Sequence, residues 1–229
     1  MNISIIIPTY NEERNIGSLI GFLQKYANNK VAEIIVCDGG SKDGTVQVAA
    51  NKGIKTVICP VKGRAGQMNF GASIANGDIL YFVHADTFPP KSFVNDVLEA
   101  LKKGYELGRY KTKFISDKPL LRINEWFTRF DLFICMGGDQ TLFVRKILFD
   151  QLDGFKEEMQ LMEEYEFCHR ARMHGRYKIM NGAAFVSARK YEKNSWLQVQ
   201  KANYKIVQLY KKGATQKILI EAYERMLQR

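Results

Sequence analysis

Residues 77–87 read Gly-Asp-Ile-Leu-Tyr-Phe-Val-His-Ala-Asp-Thr, and the interpretation of the whole chain depends on this stretch. Residues 79–83 form a continuous apolar run with β-branched and aromatic members, which is typical of a strand buried on both faces of a parallel sheet. The run ends in His84-Ala85-Asp86, so a carboxylate leaves the carboxyl end of a core strand. In open α/β sheets, ligands bind in the crevice along that edge.

Asp86 has two interpretations on this stretch alone. A carboxylate in such a crevice costs desolvation energy unless a cation meets it. Divalent Mg²⁺ or Mn²⁺ suits that role, because these ions prefer hard oxygen ligands and can bridge to a diphosphate. Alternatively, Asp86 only caps a helix prepared by Pro89 and Pro90. The remaining motifs of the chain favour the metal.

The first 104 residues alternate strand patterns with helix patterns. We expect strands at residues 3–7, 33–37, 54–59 and 79–83. A helix pattern follows each of them, with apolar residues at helical spacing. This order predicts an α/β fold in which helices flank a mostly parallel, Rossmann-like sheet.

From residue 105 onward the pattern is less regular. We expect strands at 105–115, 141–144 and 177–186 and helices at 119–135, 145–152 and 161–174. The helix at 119–135 is unusually aromatic, and the one at 161–174 carries an acidic cluster. Residues 191–229 are predicted to form a basic amphipathic helical tail.

The composition favours an intracellular protein with anionic partners. Lys and Arg outnumber Asp and Glu by 34 to 24, which gives a net charge of +10. The four cysteines form no C-x-x-C pair and indicate buried, reduced thiols in the cytoplasm. The apolar start is broken at Pro8, so we predict neither a signal peptide nor a membrane-spanning helix.

Two further loops carry groups that suit a nucleotide. Asp38 ends the second predicted strand, where nucleotide-binding folds contact a ribose or base edge, and Gly39 allows close backbone approach to a ligand. Arg64 begins a predicted helix, where backbone N–H groups and a guanidinium suit a phosphate. The Asp38 loop could also be an ordinary turn and Arg64 a solvated surface residue, but Asp38 and Asp86 at two core strand ends together favour a site.

These motifs, in this order and spacing, resemble the family 2 glycosyltransferases. The residues that carry the resemblance are Pro-Thr-Tyr-Asn-Glu at 8–12, Asp-Gly-Gly-Ser-Lys-Asp-Gly-Thr at 38–45 and His-Ala-Asp at 84–86. Gly-Arg-Ala-Gly-Gln-Met-Asn at 63–69 and Gly-Asp-Gln at 138–140 resemble a bacterial branch of small, soluble members. The resemblance covers nearly all of residues 1–190, and implies a nucleotide-binding half at 1–104 and an acceptor half at 105–190.

The resemblance implies a GT-A fold, a nucleotide-sugar donor such as a UDP- or GDP-sugar, a divalent metal and inversion at the anomeric carbon. The base and ribose would be held by Pro8, Tyr10, Glu12 and Asp38. Asp86 stands at the acidic end of the family's D-x-D motif and would bind Mn²⁺ or Mg²⁺ with the donor phosphates. The donor-binding set is completed by Gly39, Arg64, His84, Ala85 and Arg189.

This sequence departs from the family pattern at two positions. His84 stands where the first Asp of the D-x-D motif is expected. The family's late Glu-Asp pair, which supplies the catalytic base, is Glu163-Glu164 here. Position in the motif favours Glu164 as the base, with a reach longer by one methylene.

Other carboxylates compete with Glu164 for the role of base. Glu163 and Glu166 lie in the same acidic cluster, and Asp139 follows two glycines, so its backbone can approach a ligand closely. Asp139 could hold the acceptor instead of acting as base. The cluster could also be a solvated first turn that favours the helix dipole.

Two other classes of protein are alternatives to an inverting glycosyltransferase. A nucleotidyltransferase acting on a sugar phosphate would usually have a glycine-rich, basic loop after strand one, whereas residues 8–13 are acidic and lack glycine. A nucleic-acid-binding protein fits the net charge, but acids at strand ends do not suit that role. We therefore expect no nucleic-acid partner.

The aromatic segment has three interpretations. It carries Trp126, Phe127, Phe130 and Phe133 together with Arg122 and Arg129. Such a face can lie on an anionic membrane without crossing it, which would place the protein on the inner face of the membrane. The same aromatic residues could instead pack in the core or in a homodimer interface.

Overall fold

The computed structural model describes residues 1–132 and 141–228. The strands are β1 (Ile3–Thr9), β2 (Val31–Asp38), β3 (Lys55–Ile58), β4 (Ile79–Phe82), β5 (Thr87–Phe88), β6 (Leu107–Ile115), β7 (Leu142–Arg145) and β8 (Tyr177–Ser187). The helices are α1 (Glu13–Tyr26), α2 (Thr45–Ala50), α3 (Arg64–Ser73), α4 (Phe93–Lys102), α5 (Leu121–Phe127), α6 (Lys146–Gln151), α7 (Glu163–Ala171), α8 (Lys190–Lys193), α9 (Trp196–Lys211) and α10 (Gln216–Met226).

One eight-stranded sheet, in the order β3-β2-β1-β4-β7-β6-β8-β5, runs through the molecule. Its first four strands are parallel, with Thr9 opposite Asp38 and Ile6 opposite Phe82. The prediction of a parallel sheet for the first 104 residues is therefore confirmed. Because these strands run in one direction, the loops that follow β1, β2 and β4 meet at one edge.

The second half of the chain changes the direction of the sheet. β7 lies antiparallel between β4 and β6, and β6 then pairs in parallel with β8. The short strand β5 begins directly after Asp86 and pairs with β8; the sequence did not predict it. Next to this pair, Ser187 N–H donates to the Asp86 carbonyl oxygen at 3.1 Å. The sheet thus joins the Asp86 loop to the end of β8.

Helices cover both faces of the sheet. Ile3, Ile5 and Ile7 of β1 pack with α1, α2 and α4, whereas Ile6 packs with α3, α6 and α7. Each of these isoleucines has no exposed surface. Burying such a side chain contributes about 1.5–3 kcal/mol, so β1 and β4 form a stable support for the edge where their loops meet.

Several predicted boundaries differ from the observed ones. The helical pattern at 119–135 yields α5 over Leu121–Phe127, and residues 133–135 lie outside the described part of the chain. The pattern at 161–174 yields the shorter α7, which begins after Met162. Met162 has φ 71°, in the left-handed region, and this kink sets where the helix starts.

The tail is helical, as predicted, and consists of α9 and α10. Ser195 begins α9 with a capping box, in which its hydroxyl accepts from Gln198 N–H. The two helices pack on the second half of the chain through two small apolar clusters, one containing Leu121 and Tyr191 and the other Met159 and Met162. Within residues 1–132 and 141–228, no helix has the length and apolar character needed to cross a membrane.

Candidate active site

The loops after β1 and β2 hold each other in place. Asn11, at φ 55°, donates its backbone N–H to Ser41 Oγ at 2.8 Å and accepts from Lys42 N–H at 2.9 Å. Glu12 N–H donates to Thr45 Oγ1 at 2.8 Å. These reciprocal bonds give the crevice at the sheet edge a fixed wall before any ligand arrives.

Asp38 organises this wall from within. Its side chain is fully buried, and Oδ1 accepts from Gly40 N–H at 2.9 Å and from Ser41 N–H at 2.7 Å. Oδ2 accepts from the Ser41 and Thr9 hydroxyls at 2.6 and 3.2 Å. The carboxylate predicted to contact a nucleoside therefore shapes the loop that would receive one.

Gln67 is a site residue that the sequence interpretation missed. Its Nε2 donates to the carbonyl oxygens of Thr9 at 2.6 Å and Cys37 at 2.8 Å, which ties α3 to the ends of β1 and β2. A Cβ at Gly39 would lie 3.0 Å from that amide nitrogen, so a larger residue at position 39 would force the Gln67 side chain to shift. The signal was present, since Gln67 belongs to the quoted motif at 63–69.

Three predicted residues meet at the edge of the sheet through one guanidinium. Arg189 Nη1 lies 2.8 Å from Glu12 Oε2, and Arg189 Nη2 lies 2.5 Å from Glu12 Oε1. The same Nη2 lies 3.1 Å from Asp86 Oδ2. Arg189 is therefore shared between the first loop and the strand-end carboxylate, although the chain separates it from Glu12 by 177 residues.

Asp86 suits a divalent metal whose remaining ligands are water and substrate phosphates. In the described ranges there is no group of three or more His, Cys, Asp and Glu side chains that could hold an ion. Mg²⁺ commonly binds through one or two carboxylates, keeps several waters and takes the rest of its ligands from substrate phosphates. The Asp86 carboxylate, with its side chain 18% exposed, suits an ion that arrives with a diphosphate.

Glu163 and Glu164 are neighbours with different partners. Glu163 Oε1 lies 3.3 Å from Arg64 Nη1 at the start of α3, an ion pair that lacks the geometry of a hydrogen bond. Glu164 Oε1 lies 3.1 Å from His84 Nε2, and both side chains are buried. The acidic cluster is thus not a solvated first turn.

Glu166 is held away from the site. Its carboxylate accepts from Arg170 Nε at 3.0 Å and Nη2 at 2.9 Å, and Lys156 Nζ lies 3.1 Å from it. These cations lower the pKa of the Glu166 carboxyl against the opposing effect of burial. A carboxylate engaged in this way is a poor proton acceptor, so Glu166 is a weaker base candidate than Glu164.

Burial raises the pKa of the Glu164 carboxyl, and the His84 imidazole opposes that shift. Glu164 Oε2 is buried and has no hydrogen-bond partner in the part of the chain that the structure describes. A buried acceptor without a partner is costly unless a ligand supplies one. Glu164 therefore combines a fixed oxygen with an oxygen that can receive a proton.

The other predicted site residues are spread along the same edge. Pro8 near the end of β1 and Ala85 after β4 are buried, while Tyr10 in the loop after β1 is 54% exposed. Arg64 is half-exposed at the start of α3. Asp139 and the motif at 138–140 lie outside the described residues.

Glu164→Gln is expected to raise the Tm at about pH 8, because it removes a buried carboxylate. The sign of this effect follows from the raised pKa of Glu164 in the folded protein. As the pH rises, the carboxyl ionises first in the unfolded chain, so the free energy of unfolding falls until the pH exceeds the pKa of Glu164 in the folded protein. Each kcal/mol regained corresponds to roughly 2–4 °C at this chain length. Thermal scans should show the difference between the two proteins vanishing near pH 4.

Glu163→Gln is the matched control for that measurement. It removes a neighbouring buried carboxylate that is already paired with Arg64, so no gain in Tm is expected. A lower Tm for Glu164→Gln than for the unmodified protein at about pH 8 would show that the Glu164 carboxylate is fully compensated in the fold.

Comparison with known proteins identifies the family. The sequence model described as Glycosyl transferase family 2 matches residues 4–146. The chain belongs to this family, and the predicted class of enzyme and GT-A-type α/β fold are confirmed.

Curated relatives match less than half of the chain. A dolichol-phosphate mannosyltransferase of Pyrococcus furiosus is 30% identical over 113 residues, which are 47% of this chain and 32% of that protein. A glucosyl-3-phosphoglycerate synthase of Mycolicibacterium paratuberculosis is 36% identical over 98 residues, which are 38% of this chain and 29% of that protein. The match thus spans less than half of the length of either relative.

Solved structures share the fold over more of the chain. S. aureus TarS 1–349 in complex with UDP has a TM-score of 0.66 at 22% identity, covering 82% of this chain and 61% of TarS. Glucosyl-3-phosphoglycerate synthase from Mycobacterium tuberculosis in complex with Mn²⁺, UDP and glucosyl-3-phosphoglycerate has a TM-score of 0.62 at 20% identity. That likeness covers 93% of this chain and 80% of the synthase.

Proposed function

We propose that this protein transfers a sugar from a nucleoside diphosphate sugar to an acceptor hydroxyl, with inversion at the anomeric carbon. The observation that carries the proposal is Glu164: among residues 1–132 and 141–228 its buried Oε2 has no hydrogen-bond partner, while Oε1 is fixed by His84. The family assignment supports the reaction class. In the proposed division of labour, residues 1–104 bind the donor, residues 105–190 bind the acceptor, and residues 191–229 are a supporting tail.

The proposed displacement is a single step. The acceptor hydroxyl gives its proton to Glu164, and its oxygen forms a bond to the anomeric carbon. The bond from that carbon to the diphosphate oxygen breaks, and the diphosphate leaves with the bonding electron pair. A general base of this kind accepts a proton from a group within about 3 Å.

The donor is proposed to lie along the edge formed by the loops after β1, β2 and β4. Tyr10, Glu12 and the loop shaped by Asp38 would face its nucleoside. Arg64 and Arg189, at the borders of the same edge, would meet the diphosphate, since guanidinium groups bind phosphate oxygens well. A UDP-sugar or a GDP-sugar would satisfy this arrangement, and solved relatives of the same fold bind UDP.

Asp86 is proposed to hold Mn²⁺ or Mg²⁺ together with the donor phosphates. The ion would supply positive charge for the leaving diphosphate. The Asp86 carboxylate lies 3.1 Å from Arg189 Nη2, so donor binding would require the Arg189 guanidinium to contact the phosphates in addition to Asp86 or in place of it. The mycobacterial synthase with Mn²⁺ and UDP makes Mn²⁺ the first ion to test.

A thermal-shift screen of nucleoside diphosphates and nucleotide-sugars, each with and without Mn²⁺, tests the proposed function. A donor-binding protein should gain Tm with one nucleotide class and gain most with its sugar conjugate in Mn²⁺. Release of nucleoside diphosphate from the best conjugate then measures turnover with water as acceptor. No shift with any nucleotide, with or without metal, would contradict the proposal.

The aromatic segment is proposed to contact an anionic membrane from one side. Trp126 is 49% exposed and Phe127 45% exposed, so these two side chains do not pack in the core. Arg129 lies over the Trp126 ring, 5.6 Å from its centroid, and Arg122 is also exposed on α5. Apolar residues between arginines suit the headgroup region of an anionic lipid surface.

Sedimentation with vesicles measures this contact. The protein should pellet with phosphatidylglycerol vesicles, bind neutral vesicles less, and lose binding when Trp126 and Phe127 are both replaced by serine. Leu197→Ser removes a comparably exposed apolar side chain from α9 and serves as control. Absence of binding to either vesicle, or a dimer in solution that the double variant abolishes, would overturn the membrane proposal.

A further inference from the structure

We propose that His84 is a positioning residue for the base: it fixes one oxygen of Glu164 so that the other faces the acceptor. This assignment rests on the proposed role of Glu164 and gives His84 a different task from the donor contact expected from the sequence. The contact joins residues 80 positions apart, at a distance of 3.1 Å.

The backbone of His84 is fixed on both sides. Val83, which precedes it, donates its N–H to the Ile6 carbonyl at 3.0 Å, so the end of β4 is held by β1. Thr87 N–H donates to the His84 carbonyl at 3.0 Å and closes a tight turn. The imidazole, whose side chain is only 10% exposed, therefore projects from a rigid part of the sheet.

Glu164 depends on this imidazole for its orientation. In the described part of the chain, the hydrogen bonding of its carboxylate consists of the contact between Oε1 and His84 Nε2, since Oε2 has none. The adjacent Glu163 is held separately by Arg64. Without His84, the Glu164 side chain would have to find its rotamer by packing alone.

The identity of residue 84 matters for the same reason. His84 and Glu164 are the two positions at which the sequence departs from the family pattern, and the structure brings them into contact. An aspartate at 84 would place a second carboxylate beside the base, and like charges at that distance repel strongly in a buried site. An imidazole N–H can instead donate to the carboxylate.

A double-mutant cycle tests whether His84 acts through Glu164. Nucleoside diphosphate release from the best nucleotide-sugar of the thermal-shift screen gives kcat, and titration calorimetry gives the donor Kd. His84→Ala should lower kcat by about 10–100-fold, since a misplaced catalytic group costs up to about 10²-fold. The donor Kd should change by less than about threefold, and adding His84→Ala to Glu164→Gln should lower kcat no further.

Two further variants complete the experiment. His84→Gln keeps an N–H donor near the position of Nε2 and should restore most of kcat, which also covers the case in which His84→Ala folds poorly. His169→Ala removes the exposed histidine of α7 and should leave kcat unchanged.

The outcomes separate the two assignments. If Glu164→Gln keeps its rate, the base assignment fails and the role of His84 fails with it. If Glu164→Gln loses its rate but the His84→Ala loss is additive, or falls on the donor Kd instead of kcat, only the positioning role is overturned.

Discussion

Glu164→Gln is expected to lower sugar transfer by about 10²–10⁴-fold while donor affinity stays within about threefold of the unmodified protein. Glutamine keeps the shape of the side chain but cannot accept the acceptor's proton. Since Phe167 of α7 and the neighbours of His84, Val83 and Ala85, are all buried in the core, the crevice for the donor should be unchanged. Initial rates and calorimetric donor affinity, measured on the same preparation, separate chemistry from binding.

Glu164→Asp should retain part of the activity. Aspartate restores the residue that the family pattern has at this position, but it withdraws the carboxylate from His84 by one methylene. We expect a rate between those of the unmodified protein and Glu164→Gln.

Asp139 is the alternative candidate for the general base. If Glu164→Gln keeps more than about a tenth of the rate while Asp139→Asn loses it, Asp139 is the base. That result would falsify the role of Glu164 without affecting the family assignment.

Asp86→Asn is expected to abolish the metal dependence of nucleotide binding. In the unmodified protein, Mn²⁺ or Mg²⁺ should tighten UDP or GDP binding by about tenfold or more, which corresponds to about 1.4 kcal/mol. Asparagine keeps an oxygen but loses the charge that a hard cation requires, so affinity should be equal in metal and in EDTA.

The control for Asp86 lies at the other end of the same strand. Asp78 precedes β4 and is 60% exposed, so Asp78→Asn should leave the metal effect intact. A nucleotide affinity that is the same in metal and in EDTA for the unmodified protein would remove the metal from the proposed function. The positive charge would then have to come from Arg64 and Arg189.

The sequence predicted the half of the fold in which strand and helix alternate. Apolar runs such as 79–83 are buried on both faces, and the acids that follow them lie at one edge, because parallel strands all end on the same side. Asp38 and Asp86 were identified from type and position for this reason. The family motifs added Glu164, which no periodicity would have distinguished from Glu166.

The rest of the architecture depends on long-range contacts that local patterns do not encode. Residues 142–145 read Leu-Phe-Val-Arg, which indicates a strand but not its direction, so the antiparallel placement of β7 was not predicted. The roles of Gln67 and His84 are set by partners 30 or more positions away along the chain. A charged cluster likewise gives no indication of which carboxylate meets which cation.

The pairing of β6 with β8 has a consequence for the order of folding. β6 and β8 run parallel to each other, and the chain between them contains α5, β7, α6 and α7. Bringing these two strands together costs more chain entropy than forming the short β-α-β units of residues 1–104, so we expect it to be slower. Arg189, directly after β8, reaches Glu12 only once that strand has docked. In pulsed hydrogen exchange, amides of β1 and β2 should therefore gain protection before those of β8. The contact of Arg189 with Glu12 and Asp86 should form only in the last folding phase.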